Sequence, residues 1–257
     1  MLNYFCVAPK SVMGWLAVFA SAFFFYMATV TIRWARTAVT IDPAFFVFGR
    51  FALGFVIVAA SMAVQRKRPR ANRYGLLIGR TLSNTLAVFC FYQAVAVTTV
   101  ANANILNMTY PIFVGLFAWL FLRRQRDGMA MAMVPVAFVG IWLIVSPAGI
   151  GWDWHNSWGL ASGVSASFAI IYLNLCRRYD ESETILFYMF GWGALMIFLL
   201  YHEKIFWPNA IEFFYLLICS LFGIGGQYLL TYGFRFVTAV EGSIITSSRI
   251  LKNPRGI

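Results

Sequence analysis

The chain has 257 residues, of which 61% are apolar and only 11% charged, against roughly 25% charged in a soluble domain. With a mean hydropathy of +0.75 and with 26 Phe, 12 Tyr and 9 Trp, a soluble enzyme and a disordered chain are both excluded. Cys6, Cys90, Cys176 and Cys219 are scattered without disulfide or metal spacing, so a secreted disulfide scaffold is excluded too.

An all-α polytopic membrane protein remains. A span needs about 20 apolar residues. The apolar runs, in chain order, are Met13–Ile32, Ala44–Val64, Gly75–Ala96, Asn102–Leu122, Met129–Ser146, Trp158–Leu175, Thr184–Tyr201 and Phe213–Phe234. These predict eight full spans. A partial ninth begins near Ala239 and stops at Leu251. Asp42-Pro43, the Arg66–Arg73 cluster, Pro147 with Gly149 and Gly151, and Pro208-Asn209 close the runs. Met13–Ile32 has Lys10 upstream and no small-residue cleavage site, so it reads as a retained span.

The net charge of +11 invites a nucleic-acid reading, but its distribution gives another. Counted on alternate sides of the spans, Lys and Arg fall 12 against 3. The heavy side carries Lys10, the Arg66–Arg73 loop, Arg123, Arg124, Arg126, Arg177, Arg178 and Arg235. The light side carries Arg33, Arg36 and Lys204. The positive-inside rule places the N-terminus in the cytoplasm, with Trp152, Trp154 and Trp158 at the opposite interface. A specific anionic partner at the Arg66–Arg73 loop is the alternative use of that charge.

The chain also repeats itself. Leu16-Ala17, Ser21-Ala22 and Phe24 recur as Leu160-Ala161, Ser165-Ala166 and Phe168, a shift of 144. Phe48-Gly49 and Ala52-Leu53 recur as Phe190-Gly191 and Ala194-Leu195, a shift of 142. Leu76-Leu77-Ile78, Tyr92 and Val97-Thr98 recur as Leu216-Leu217-Ile218, Tyr232 and Val237-Thr238, a shift of 140. A five-span unit has an odd number of crossings, so the second copy enters from the other side. The expected fold is two inverted five-helix repeats, the second incomplete. Many secondary transporters are built this way, with the site between the halves.

The residues that carry a family resemblance are Phe48-Gly49-Arg50-Phe51, Gly79-Arg80, Phe91-Tyr92-Gln93-Ala94, Val97-Thr98, Ala101-Asn102-Ala103, Tyr110-Pro111-Ile112-Phe113 and Gly140-Ile141-Trp142-Leu143-Ile144. In this order and spacing they resemble the EamA-type half of the drug/metabolite transporter superfamily. The resemblance implies ten helices, five plus five, and export or uptake of small organic metabolites. It divides the chain into a cytoplasmic N-terminus (1–12), a first repeat (13–147), an external loop (148–157) and a second repeat (158–257). Two departures stand out. Leu122-Arg123-Arg124 occupies the place where such proteins carry a glutamate. By the shift of 140, Pro111 matches Leu251, so the second half of the ninth span and the tenth are missing. Either the chain is truncated or frameshifted, or the missing part comes from a homodimer partner or another complementing chain.

Polar groups inside hydrocarbon are costly unless they face a cavity or a partner. The candidate substrate-binding residues are Arg50, Asn84, Tyr92, Asn107, Tyr110, Gln227 and Tyr232. Asn84 shares a helix face with Arg80. Pro111 removes a backbone bond and frees a carbonyl near Asn107. The competing reading for the amides is helix-to-helix glue, and for Arg50 and Arg80 it is snorkelling to the interface. Glu241 is weighed as a proton-coupling acid against a solvated loop residue.

No catalytic constellation, metal spacing or phosphate loop is present, so no enzyme activity and no cofactor are expected. The expected function is a secondary transporter for small organic metabolites, working by alternating access. It would be multi-pass in a bacterial inner (plasma) membrane, with a small-molecule metabolite and the lipid bilayer as partners and no nucleic acid. The alternative is an incomplete, transport-inactive membrane fragment.

Overall fold

The computed structural model describes residues 9–121, 154–240 and 242–243. The first helix, α1, runs Pro9–Ala38. Helix α2 (Pro43–Val64) opens on Asp42, whose Oδ1 accepts from Ala44 N at 2.8 Å. Pro43 follows at a position where no N–H is needed. The helix ends at Gln65 and Arg66, the latter at φ 54°. Lys67 N donates to Met62 O at 2.9 Å and Arg66 N to Ala63 O at 3.1 Å, the two bonds of a Schellman turn.

Helix α3 spans Tyr74–Val97. The next column is broken into α4 (Val100–Asn107) and α5 (Tyr110–Phe121). Thr99 caps α4 by accepting from Asn102 N at 3.1 Å. The break falls at Met108–Thr109, where Pro111 has no N–H to return to the Asn107 carbonyl. Then come α6 (Asn156–Cys176), α7 (Ser182–Tyr201), a short 3-10 turn (His202–Lys204) and α8 (Ala210–Gly233). Asn209 and Glu212 form a capping box at the start of α8, satisfying orphan N–H groups that lipid cannot.

The helices pack in nested antiparallel pairs. Helix α3 packs on α6, α2 on α7 and α1 on α8. On α1, Phe24 meets Phe222 while Ala28 O accepts from Cys219 Sγ, so the residue numbers run in opposite directions. Phe48, Phe51 and Phe55 of α2 face Phe198, Phe190 and Phe187 of α7. Phe89 of α3 meets Trp158 near the start of α6. Glycines set these contacts close: a Cβ at Gly54 would lie 2.8 Å from the Phe190 ring, and one at Gly79 would lie 2.6 Å from Tyr172. Small residues that let helices approach are the main packing device where lipid removes the hydrophobic drive.

The expected count of eight full spans plus a partial ninth, in two inverted five-helix repeats, is corrected here. Among the described residues, six helices are long and apolar enough to cross a membrane: Val12–Ala38, Pro43–Val64, Asn102–Leu120, Asn156–Cys176, Ser182–Lys204 and Ala210–Gly233. The run Gly75–Ala96 does form a helix, α3, but its polar residues, Arg80, Asn84 and Gln93 among them, keep it out of that set. With the broken α4–α5 column counted once, the described residues hold seven helical columns. The runs Met129–Ser146 and most of Ala239–Leu251 lie outside the described residues. Arg33 and Arg36 also move: they belong to α1 rather than to a loop. The Arg36 guanidinium donates to the Val95 and Ala96 carbonyls at the end of α3.

The Arg66–Arg73 connection is met by acids of this same chain. Lys67 Nζ lies 3.2 Å from Glu181 Oε2 and 3.5 Å from Glu183 Oε1. Asn72 N and Nδ2 both donate to Asp180 Oδ1, at 2.8 and 3.1 Å, and Nδ2 also to Tyr179 O at 2.6 Å. Tyr188 OH donates to Pro69 O at 3.0 Å. The hydrogen bond to Glu181, and then the charge of Glu183, push the Lys67 pKa up. Burial, and then the charge of Arg235, push the Arg177 pKa down.

Candidate substrate-binding site

A cavity of about 120 Å³ opens between α1, α2, α3, the α4–α5 break, α6 and α8. Helix α3 presents one face to it: Arg80, Asn84, Ala87, Val88, Phe91 and Tyr92, a spacing of three, four, seven and eight that a 3.6-residue period produces. Helix α2 contributes Arg50, and α1 contributes Phe25, Ala28 and Thr29. The break contributes Asn107 and Tyr110, α6 contributes Ala166, Ala169 and Ile170, and α8 contributes Gln227 and Leu230.

Six of the seven sequence-derived candidates therefore line one cavity: Arg50, Asn84, Tyr92, Asn107, Tyr110 and Gln227. Tyr232 does not. It is 38% exposed, stacks edge-on against Phe236, and borders a separate depression with Lys67, Arg177 and Arg235. Arg80, for which the sequence favours snorkelling over binding, is 1% exposed in the cavity wall. Its Nη1 donates to Ala169 O at 3.0 Å. The fully apolar lining from α6 also escaped sequence reasoning. Alanines in an apolar run give no signal of which face they share. Glu241 lies outside the described residues.

The two arginines are held differently. Arg50 is 4% exposed. Its guanidinium carbon stands 5.1 Å from the centre of the Phe25 ring, a cation–π contact. Its Nη2 donates to Gln227 Oε1 at 3.4 Å. Room for it comes from Gly223, where an added Cβ would lie 2.7 Å from Arg50 Cδ and Nε. Arg80 reaches across from α3 to the α6 backbone. Tyr92 OH sits 3.8 Å from Cys219 Sγ. Asn107 Nδ2 donates to Ser162 Oγ at 2.7 Å, and Ser162 Oγ donates in turn to Gly159 O at 2.9 Å. Tyr110 OH donates to Ser243 O at 3.2 Å.

Among the described residues, several buried N–H donors of cavity-lining side chains have no partner: Arg50 Nε, Arg80 Nε and Nη2, Asn84 Nδ2 and Gln227 Nε2. Buried polar groups are ordinarily paired, so this cluster departs from the rule. Among the described residues no group of His, Cys, Asp and Glu could hold a metal ion.

A family model described as the EamA-like transporter family matches this chain twice, at residues 12–146 and 153–251. The chain belongs to that family. It is therefore an integral, multi-pass membrane transporter, and its family and relatives are transporters rather than enzymes. This EamA-like chain is 26% identical over 226 residues to the pseudopaline exporter CntI of Pseudomonas aeruginosa, covering 87% of this chain and 78% of that one. It is 22% identical over 245 residues to solute carrier family 35 member G1 of Mus musculus, covering 87% of this chain and 65% of that protein. A riboflavin transporter of Brucella anthropi is 23% identical over 168 residues, with 62% and 57% covered. One solved crystal structure superposes with a TM-score of 0.64 at 16% identity, covering 93% of this chain and 85% of that one. That likeness concerns the fold alone. The two EamA matches meet at the cavity: Arg50, Arg80 and Asn84 come from the first, Ala169 and Gln227 from the second.

Proposed function

We propose that this protein is a secondary carrier of small organic metabolites that works by alternating access between its two EamA-like segments, and that the cavity is its binding site. One observation carries the reading. The cavity wall is shared between the two segments, and the Arg50–Gln227 bond crosses the seam. A site on such a seam changes its exposure when one segment rocks against the other. The moving units are residues 13–147 and 158–257. The lysine and arginine asymmetry supports a cytoplasmic N-terminus, and the bacterial relatives support a bacterial inner membrane.

Purified full-length protein in liposomes tests this. A labelled metabolite loaded inside should exchange with the same compound outside, for at least one member of a broad panel. Asn84→Leu and Gln227→Leu should lower that exchange while the protein still elutes as a single folded species. Wild-type protein that moves nothing across the panel overturns the carrier reading.

A further inference from the structure

We infer that the solute held in this cavity is a small organic oxyanion, gripped at its carboxylate or phosphate by Arg50 and Arg80, with an apolar remainder against the aromatic wall. The inference rests on the reading of the cavity as a solute site and specifies the class of solute.

The charge balance comes first. Two guanidinium groups, 4% and 1% exposed, line one cavity inside the membrane region. No carboxylate among the described residues lines it with them. A buried cation in hydrocarbon costs several kcal/mol unless it is paired or wet. Phe25 and the Ala169 carbonyl offset a part of this, but neither carries a negative charge.

The hydrogen-bond inventory points the same way. Among the described residues, the cavity-lining side chains keep buried donors without a partner, Arg50 Nε, Arg80 Nε and Nη2, Asn84 Nδ2 and Gln227 Nε2, which meet a solute once these side chains turn toward it. A guanidinium has donors and no acceptor, in a planar fork that fits two oxygens of one oxyanion. A cationic solute would meet two like charges. A neutral alcohol would bring one acceptor oxygen to several orphan donors. An oxyanion supplies both the missing charge and the missing acceptors.

The remaining wall fixes the rest of the solute. Phe25, Phe91, Val88, Ile170 and Leu230 are apolar. The cavity of about 120 Å³ fits a compact solute with one anionic end.

The test uses detergent-purified full-length protein and probes of matched length: 3-phenylpropionate, 3-phenylpropanol, 3-phenylpropylamine and phenyl phosphate. The acid or the phosphate ester should raise the melting temperature at millimolar concentration, and which of the two does so identifies the oxyanion. The alcohol and amine should not. Arg50→Gln and Arg80→Gln should each weaken that binding by about tenfold to a hundredfold, the worth of one hydrogen bond to a charged group. Arg50→Lys and Arg80→Lys should keep part of it. If either Gln variant fails to fold, the wild-type probe series decides alone. Stabilisation by the alcohol or amine equal to that by the anions overturns the inference, and so does no response to either anion. Exchange in liposomes separates the two readings. Transport of the alcohol or amine without the anions leaves the carrier standing and removes the anion site. Anion binding without exchange of any solute does the reverse.

Discussion

Arg50 of α2 donates through Nη2 to the Gln227 side-chain oxygen of α8, 3.4 Å away, and Gly223 one turn earlier on α8 leaves the space that the Arg50 stem fills. The bond is long, so it fixes the guanidinium loosely. The steric fit does more, because no side chain at Gly223 could share that space. Arg50 thereby stays beside Phe25, its Nε without a partner among the described residues.

Gly223→Ala should push Arg50 out of place, and solute exchange in liposomes should fall about tenfold or more, as for the loss of one charged hydrogen bond. Gly115→Ala is the control. Among the described residues nothing lies within 4 Å of a Cβ built there, so exchange should be unchanged and the helix should gain up to about 1 kcal/mol. Equal losses in both variants would mean that packing in general, rather than Arg50, is what Gly223 protects.

Tyr232→Ala should leave solute affinity and exchange at wild-type levels, since Tyr232 lies on another depression. Tyr92→Ala should reduce both, because Tyr92 lines the cavity beside Cys219. A reduced affinity for the Tyr232 variant, measured by probe-induced melting shifts, would place the solute elsewhere.

Asn107 and Ser162 join the α4 end to α6 through one 2.7 Å hydrogen bond. A double-mutant cycle with Asn107→Ala and Ser162→Ala, read by unfolding in denaturing detergent, should give a coupling of about 0.6 kcal/mol, the average for membrane-buried pairs. A coupling near zero would show that Asn107 does not anchor the break.

These expectations mark how far the sequence was legible. Polar residues in apolar runs carry a cost that has to be met somewhere, and that rule found Arg50, Asn84, Tyr92, Asn107, Tyr110 and Gln227, all on one cavity. It did not separate Arg80 from a snorkelling arginine. Position along a helix gives depth, whereas the neighbour that receives Arg80, the Ala169 carbonyl, is 89 residues away. The same rule also named Tyr232, the repeat counterpart of Tyr92, which lies on another depression. Two copies align in sequence, but their counterparts need not face the same space. The span count failed for a related reason. Arg80 and Asn84, which line the cavity, are among the residues that take α3 out of the apolar class.

The connection latch gives a stability prediction. Asp180→Ala strands the Asn72 backbone N–H, while Nδ2 keeps its bond to Tyr179 O, and should destabilise by about 1–3 kcal/mol. Lys67→Met should change stability little, because an exposed ion pair contributes little. The Lys67 pKa is raised by its acidic partners, so its contribution is present below the ordinary lysine pKa of about 10.4. It is lost as pH rises through the folded value. The melting temperatures of wild type and Lys67→Met should therefore converge at strongly alkaline pH and in high salt. A gap that widens there would mean that the lysine is not paired with Glu181 and Glu183.

The nested pairing bears on how the chain assembles. Helix α1 cannot meet α8 until almost the whole polypeptide has been inserted, so its glycine and phenylalanine face must first stand in lipid. Order of closure relieves this. Once α3 has docked on α6, only short additional loops separate α2 from α7, and then α1 from α8. Each closure thus costs far less entropy than it would if made first. The geometry favours zippering from the middle outward, with the outermost pair as the last to form and the first to come apart.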